Sequence, residues 1–144
     1  MKLEIIKNPS ILLRVLMGLV FCSAGLFRLF VPQVALNEMA NLNISSLFVF
    51  PITALEIITG LALLLNRYVK YAAGALIIFL FFALIKGLII GGGGLWTAAG
   101  ELFVFNVTPT DFFMHFAFLV VLVFLFLSTI SKSSKDMPDD SQKN

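Results

Sequence analysis

Four long apolar stretches, separated by short polar connections, constrain this chain more than any other feature of its sequence. A helix that crosses the hydrocarbon core of a bilayer needs about 20 mostly apolar residues, and each stretch has about that length. Apolar residues make up 60% of the chain and charged residues only 12%, which is far from the composition of soluble globular proteins. We predict an all-α protein that lies in the lipid bilayer, with spans at residues 11–31, 47–66, 69–91 and 110–130.

Basic residues are distributed unevenly among the segments outside these spans. They occur before the first span, in the connection 67–70 and after the fourth span, whereas the connections 32–46 and 92–109 contain no Lys or Arg. Because cytoplasmic loops are enriched in Lys and Arg, we expect a multi-pass protein of the plasma membrane with both termini in the cytoplasm. The net charge is only +2, and nothing in the sequence indicates nucleic-acid binding.

This placement divides the chain into three regions. Residues 1–10 are predicted to be a cytoplasmic N-terminal segment, residues 11–130 an antiparallel four-helix transmembrane domain, and residues 131–144 a disordered cytoplasmic tail. Within the first outer connection, residues 34–42 are predicted to form a short helix along the membrane surface that covers the bundle.

Glu56 is the most unusual residue, because it lies near the middle of the second span. A charge at the centre of a membrane helix costs about 3 kcal/mol on insertion scales, so Glu56 needs partners inside the protein. At about 100° per residue, Glu56 shares a helix face with Gly60, and the first span has Gly18 and Gly25 on one face. Small residues let membrane helices approach closely, so we predict that these three glycines pack the helices together.

Ionisable side chains from different spans fall at similar depths. With a rise of about 1.5 Å per residue, Arg28, Lys86 and His115 lie about 5–8 Å below the outer boundary and Glu56 about 14 Å below it. We therefore predict a polar core or ligand site in the outer half of the bundle, where Arg28 or Lys86 neutralises Glu56. Asp111 and His115, four residues apart on the fourth span, would complete a hydrogen-bonding network. Such a cluster either binds a ligand or a proton or only holds the helices together.

The sequence has no pattern typical of a metal site or of a tightly bound redox cofactor. A zinc site needs several suitable ligands, and the chain has one histidine and one cysteine. Because flavin, haem and iron–sulfur motifs are also missing, electron transfer would require a partner protein or a bound quinone. We therefore expect no metal site and no enzyme that acts alone, and a catalytic residue is not assigned.

The first span reads LLRVLMGLVFCSAGLFRLFVP, and the second contains LEIITGLALLLNR. With four spans in 144 residues, these stretches resemble the DoxX family of small membrane proteins over nearly all of residues 11–130. The positions that match are Arg14, Gly18, Gly25, Arg28, Pro32, Glu56 and Gly60. The resemblance implies a membrane subunit associated with redox systems, such as a subunit of a thiosulfate:quinone oxidoreductase. A neighbouring group, the MauE-like proteins, is linked to disulfide or cofactor maturation and often has cysteines in the second outer loop, where this chain has glycines.

Three kinds of function fit these observations. The first is a membrane partner of an electron-transfer system that holds a quinone head group near Arg28, Lys86 and His115. The second is a transporter or channel-like unit for a small ion or acid, which would need an oligomer because four helices are few for a pore. The third is a structural scaffold for a partner protein. The partners to consider are the lipid bilayer, a soluble oxidoreductase subunit and further copies of this chain.

Overall fold

The computed structural model describes residues 9–41, 43–91 and 110–135, of which residues 90–91, 110–113 and 132–135 are described by their backbone alone. These ranges contain helices and no strand. The helices are α1 (Pro9–Phe30), α2 (Pro32–Asn41), α3 (Val49–Leu64), α4 (Val69–Gly91) and α5 (Thr110–Lys135), with a 3₁₀ turn at Ser46–Phe48 before α3. Four of them, α1, α3, α4 and α5, are long and apolar enough to cross a membrane. The predicted all-α fold with four spans is confirmed.

Prolines define both ends of α1. The helix begins at Pro9, because the fixed φ and missing N–H of proline suit the first turn. It ends at Phe30, because Pro32 cannot donate to the helical ladder and disfavours a helical conformation at Val31. The chain turns at this point and continues directly into α2, which is the short helix predicted within the first outer connection.

A compact turn joins α3 to α4 and makes them antiparallel neighbours. Asn66 and Tyr68 in this turn have positive φ angles of 56° and 55°, a conformation that asparagine tolerates better than most residues. The guanidinium of Arg14 donates a hydrogen bond to the side chain of Asn66. The beginning of α1 is therefore tied to the same end of the bundle as this turn.

The last helix, α5, is longer than the sequence predicts. The sequence predicts that the fourth span ends at residue 130 and that a disordered tail follows, whereas α5 continues to Lys135. A helix does not have to end where the lipid ends, and lysines at positions 132 and 135 are favourable near a helix C-terminus. Residues 1–8, 42, 92–109 and 136–144 lie outside the described residues. The predicted second outer connection and the end of the predicted tail fall there, as does the predicted N-terminal segment 1–10 apart from residues 9–10, which belong to α1.

The four long helices form a ring of two close pairs. α1 packs most extensively against α3, and α4 against α5, while α3 with α4 and α1 with α5 complete the ring. Large apolar side chains are exposed on the outward faces of all four helices, where they contact lipid. The buried apolar core extends from the middle of the bundle towards the turn between α3 and α4, and consists of Met17, Phe21, Leu63, Ala72, Ala73, Leu76, Leu80, Leu122 and Leu125.

Candidate functional site

The polar residues of the interior lie on one face of α3. Thr53, Glu56 and Thr59 are 4%, 2% and 7% exposed, and they are the buried polar residues of the part of the chain that the structure describes. The hydroxyl of Thr59 donates to the carbonyl oxygen of Leu55 at 2.6 Å, so it is satisfied within its own helix. A buried carboxylate such as Glu56 needs a cationic or hydrogen-bonding partner from elsewhere in the protein.

Arg28, in the last turn of α1, is that partner. Its Nη1 donates to Oε1 of Glu56, and its Nε donates to Oε2 of Glu38 at 2.8 Å. The side chains of Arg28 and Glu56 are 18% and 3% exposed, while that of Glu38 is 41% exposed. One guanidinium thus joins carboxylates from two other helices, and when both acids are ionised the cluster has one negative charge in excess.

Glu38 is the site residue that the sequence prediction missed. It lies on α2, which is held against the bundle by the buried side chains of Ala35 and Met39. Two clues were present in the sequence: Glu38 is the only acid in the connection 32–46, and it follows Arg28 by ten residues. What the sequence does not give is the direction of α2 after the turn at Pro32, and that direction brings Glu38 back to Arg28.

Helices α1 and α3 are in backbone contact beside this cluster at three glycines, Gly18, Gly25 and Gly60. A Cβ atom built on Gly60 would lie 2.6 Å from the backbone nitrogen of Cys22, and one built on Gly25 would lie 3.1 Å from the carbonyl oxygen of Thr53. No larger residue fits at these distances, so glycine is what allows the two backbones to approach. This close approach brings the C-terminal end of α1, and with it Arg28, to the buried face of α3.

Two buried polar atoms near the ion pair have no hydrogen-bond partner among the described residues, Oε2 of Glu56 and Oγ1 of Thr53. Both residues lie on the same face of α3, one turn apart. An unpaired buried donor or acceptor costs about 1–3 kcal/mol, so a native protein that keeps such atoms has a use for them or meets their needs with a bound molecule. Each of the two oxygens has less than 1 Å² of exposed surface.

The structure places His115 within electrostatic range of Glu56 and leaves Lys86 exposed. His115, on α5, is partly buried and lies close enough to Glu56 to interact with it electrostatically. Lys86, on α4, is exposed and makes no ion pair within the described ranges, so Arg28 rather than Lys86 neutralises Glu56. Asp111 lies in the first turn of α5, and its side chain is outside the described residues.

An apolar groove of about 270 Å³ lies beside the cluster, between the C-terminal end of α1 and the first half of α3. Its lining residues are Leu29, Phe50, Thr53, Ala54, Ile57 and Ile58. Because Leu29, Phe50 and Ile58 are 50%, 76% and 66% exposed on the outer surface of the bundle, the groove opens towards the lipid. Among the described residues that line it, Thr53 is the one with a hydroxyl, and that hydroxyl is buried and does not reach the groove surface.

Comparison with known protein families agrees with the resemblance seen in the sequence, because the family model of DoxX matches residues 10–88. The chain belongs to the DoxX family. The match runs from the start of α1 nearly to the end of α4, so Arg28, Glu38 and Glu56 of this DoxX protein lie inside it and His115 lies beyond it. No match was found among curated proteins or among solved structures.

The chemistry that the cluster offers is hydrogen bonding and proton exchange. Within the described ranges, no group of three His, Cys, Asp or Glu side chains is arranged so that it could hold a metal ion. The site of this DoxX protein instead combines a guanidinium, two carboxylates, a hydroxyl and an imidazole. Such a set contains both donors and acceptors of hydrogen bonds and groups that can exchange protons.

Proposed function

We propose that this DoxX protein is a membrane subunit of a redox system and that it binds the head group of a lipid-soluble quinone in the outer half of its bundle. The observation that carries this proposal is Glu56, a buried carboxylate with one oxygen on Arg28 and the other without a partner in the described part of the chain. When bound, a quinone supplies electron and proton transfer, while the protein supplies orientation and electrostatics.

The groups at the site fit such a head group. A ring carbonyl accepts hydrogen bonds, which the Thr53 hydroxyl can donate, and a ring hydroxyl donates one, which Oε2 of Glu56 can accept. Histidine is the side chain that exchanges protons most readily near neutral pH, and His115 interacts electrostatically with Glu56. Glu56 and His115 would therefore hold or release protons at the site, while Arg28 keeps Glu56 in position.

The bundle interior between Glu56 and the turn that joins α3 to α4 favours a binding site over a transport path through one bundle. Met17, Leu63 and Leu76 are at most 1% exposed and belong to an apolar core that fills the bundle from its middle onwards. In that direction the buried polar residue of the described chain is Thr59, whose hydroxyl already bonds to its own helix. An ion crossing this part of the described bundle would meet mainly apolar side chains, which cannot replace its water.

The redox role also requires a partner, which the family resemblance implies. We propose that a soluble oxidoreductase subunit exchanges electrons with the quinone held by this DoxX protein. We place the protein in the plasma membrane with both termini in the cytoplasm, because the basic residues of the chain cluster on that side of the predicted spans. Further copies of the chain are the other partner to look for.

Quinone content tests the proposal directly. The full-length protein is purified in mild detergent, extracted with organic solvent, and its quinone is measured per mole of protein by chromatography. We expect retained quinone in the wild type and at least about tenfold less in Glu56→Gln and His115→Ala, since each loses a group that contacts the head. Ser128→Ala is the matched control, because Ser128 is also on α5 and its hydroxyl already bonds to the carbonyl oxygen of Leu125 at 2.8 Å.

Two results would contradict this proposal. The first is a quinone content no higher than that of an unrelated membrane protein purified in the same way. The second is the absence of any oxidoreductase, as measured by mass spectrometry, from protein purified under gentle solubilisation. That result would exclude the role as a redox subunit even if quinone is bound.

A further inference from the structure

The end of the bundle at the turn between α3 and α4 has a basic patch, which consists of Arg14, Arg67 and Lys70. The guanidinium of Arg14 donates to the side chain of Asn66, the residue directly before Arg67. Lys70 lies in the first turn of α4, and both Arg67 and Lys70 are exposed. The patch thus combines a cation from α1 with two cations from the turn and the start of α4.

No carboxylate in the described part of the chain neutralises this patch. The ion pairs found there are those of Arg28 with Glu38 and Glu56, which lie at the opposite end of the bundle. Asn66, which accepts from Arg14, is uncharged. The three positive charges are therefore without a matching anion among the described residues, and such an excess of one sign attracts anions.

Lys70 lies at a position where its charge does not stabilise its own helix. The N-terminus of a helix has a partial positive charge, so acids are favourable in the first turn and cations in the last. α4 has no acid in its first turn and has Lys70 there instead. The lysine therefore weakens the start of α4 unless an anion lies beside it.

The residues around the patch indicate the depth at which that anion lies. Tyr68 and Tyr71 are each 73% exposed, and tyrosine is enriched where the membrane meets water. Leu61 and Leu65, four residues apart and hence on one side of the helix, are 44% and 67% exposed. They form an apolar surface that leads from the hydrocarbon to the turn. An anion at this depth that is joined to an apolar chain is a phospholipid with a net negative charge.

We propose that the basic patch binds the head group of an anionic phospholipid, while one acyl chain of that lipid lies along Leu61 and Leu65. A basic residue near an anionic lipid surface contributes about fivefold to affinity, and the patch has three such residues. The site is at the opposite end of the bundle from the polar cluster, so it does not depend on quinone binding.

Native mass spectrometry of the full-length protein in detergent tests this site. The probes are dioleoyl phosphatidylglycerol and dioleoyl phosphatidylcholine, which have the same acyl chains and differ in net charge. We expect one phosphatidylglycerol to bind at least about tenfold more tightly than phosphatidylcholine, because only the first has a net negative charge for the three cations.

Two variants remove charges from the patch at exposed positions. Lys70→Gln and Arg67→Gln should each weaken the binding of phosphatidylglycerol about fivefold. The double variant should lose the preference for this lipid, since two such factors together exceed tenfold. The affinity for phosphatidylcholine should change little in all three proteins. If one single variant does not fold, the other still provides the test.

Lys86→Gln is the matched control. Lys86 is also exposed and also on α4, but it lies towards the other end of that helix. The control removes the same charge from the protein as Lys70→Gln does, and we expect it to leave the affinity for phosphatidylglycerol unchanged. The comparison separates a local site from an effect of net charge.

The melting temperature separates a lipid from free phosphate as the occupant. A ligand that binds only the folded state stabilises it, so dihexanoyl phosphatidylglycerol should raise the melting temperature more than dihexanoyl phosphatidylcholine does. This difference should shrink in Lys70→Gln and persist in Lys86→Gln. Inorganic phosphate at the same concentration should give no such increase, because it has no acyl chain to contact Leu61 and Leu65.

Three results would overturn the proposal. They are equal affinities for the two dioleoyl lipids, equal losses in Lys70→Gln and Lys86→Gln, and an increase in melting temperature with inorganic phosphate as large as that with dihexanoyl phosphatidylglycerol. The third result would make the patch a site for free phosphate. A protein that retains no quinone would leave this lipid site in place, so the two proposals fail independently.

Discussion

Arg28 is the residue on which the polar cluster depends. Its guanidinium pairs with a carboxylate that is almost fully buried and with one that is 41% exposed. Removing one partner of a buried ion pair leaves an uncompensated charge and costs about 3–5 kcal/mol, whereas an exposed ion pair contributes only about 0–1 kcal/mol. The two carboxylates therefore differ in what they contribute to stability.

This difference gives a prediction for two alanine variants. Arg28→Ala should lower the free energy of unfolding by about 3–5 kcal/mol, because Glu56 is left buried without its cation. Glu38→Ala should lower it by no more than about 1 kcal/mol, because water solvates the site where Glu38 is lost. Titration of the purified protein with sodium dodecyl sulfate, followed by circular dichroism, measures both values. Equal losses in the two variants would show that Glu56 is not held by Arg28 alone.

At the residue scale, the depth of a side chain in the membrane is easier to predict from the sequence than the direction in which the side chain points. Helical rise places Arg28 and Glu56 within reach of each other in the membrane, and the structure pairs them. Depth also brings Lys86 to the same layer, but α4 is apolar on all sides, so its sequence does not indicate which face points inwards. The contribution of Glu38 depends on the path of the chain after Pro32, which no periodicity encodes.

Among the elements, the pair of α1 and α3 has the tightest contact, because glycine backbones meet there. A Cβ on Gly60 would lie 2.6 Å from the nitrogen and 3.0 Å from the Cα of Cys22. Both atoms belong to the backbone of α1, so they cannot move without moving the helix. Gly74 on α4 differs, because the nearest atom to its Cβ would be Cε2 of Phe126 at 3.6 Å, an ordinary contact.

Substitution of these two glycines by alanine should therefore have opposite effects. Gly60→Ala should destabilise the protein by about 1–3 kcal/mol, the usual cost of overpacking. Gly74→Ala should be neutral or should stabilise by up to about 1 kcal/mol, because alanine favours the helix more than glycine does. The melting temperature in detergent, measured by fluorescence-detected size exclusion, compares them. A loss in Gly74→Ala as large as that in Gly60→Ala would mean that the effect comes from glycine in general and not from this contact.

The extents of the elements follow from simple causes that the sequence displays. Apolar length and the prolines at 9 and 32 predict α1, and the third span was predicted with the bounds that α4 has, Val69–Gly91. The end of α5 was not predicted, because helix propagation beyond the lipid depends on the helix itself and not on the hydrophobic pattern.

At the scale of the whole molecule, the buried interior of the bundle is apolar towards one end, here called the apolar end, and polar towards the other. The buried core lies towards the turn between α3 and α4, and the ion pairs lie at the opposite end, under α2. The distribution of basic residues predicts that the apolar end faces the cytoplasm. The charge of the loops thus predicts that the polar cluster lies on the side of the membrane away from the cytoplasm.

Labelling with a membrane-impermeant maleimide tests that orientation. In a Cys22→Ala background, Asn37→Cys on α2 should react in intact cells, whereas Ser131→Cys near the end of α5 should react only after the cells are made permeable. Both positions are exposed, so each should react once the reagent has access. Reaction at position 131 in intact cells would reverse the predicted topology and place the polar cluster on the cytoplasmic side.

The three charged groups of the cluster, Arg28, Glu38 and Glu56, come from a short part of the chain, and this has a consequence for how the protein is made. Synthesis proceeds from the N-terminus, so Arg28 and Glu38 have left the ribosome before Glu56 enters the insertion machinery. Glu56 can pass into the membrane with its cation already present, before α4 and α5 enter the membrane. The cation that neutralises the buried carboxylate of Glu56 therefore lies in the part of the chain that precedes it.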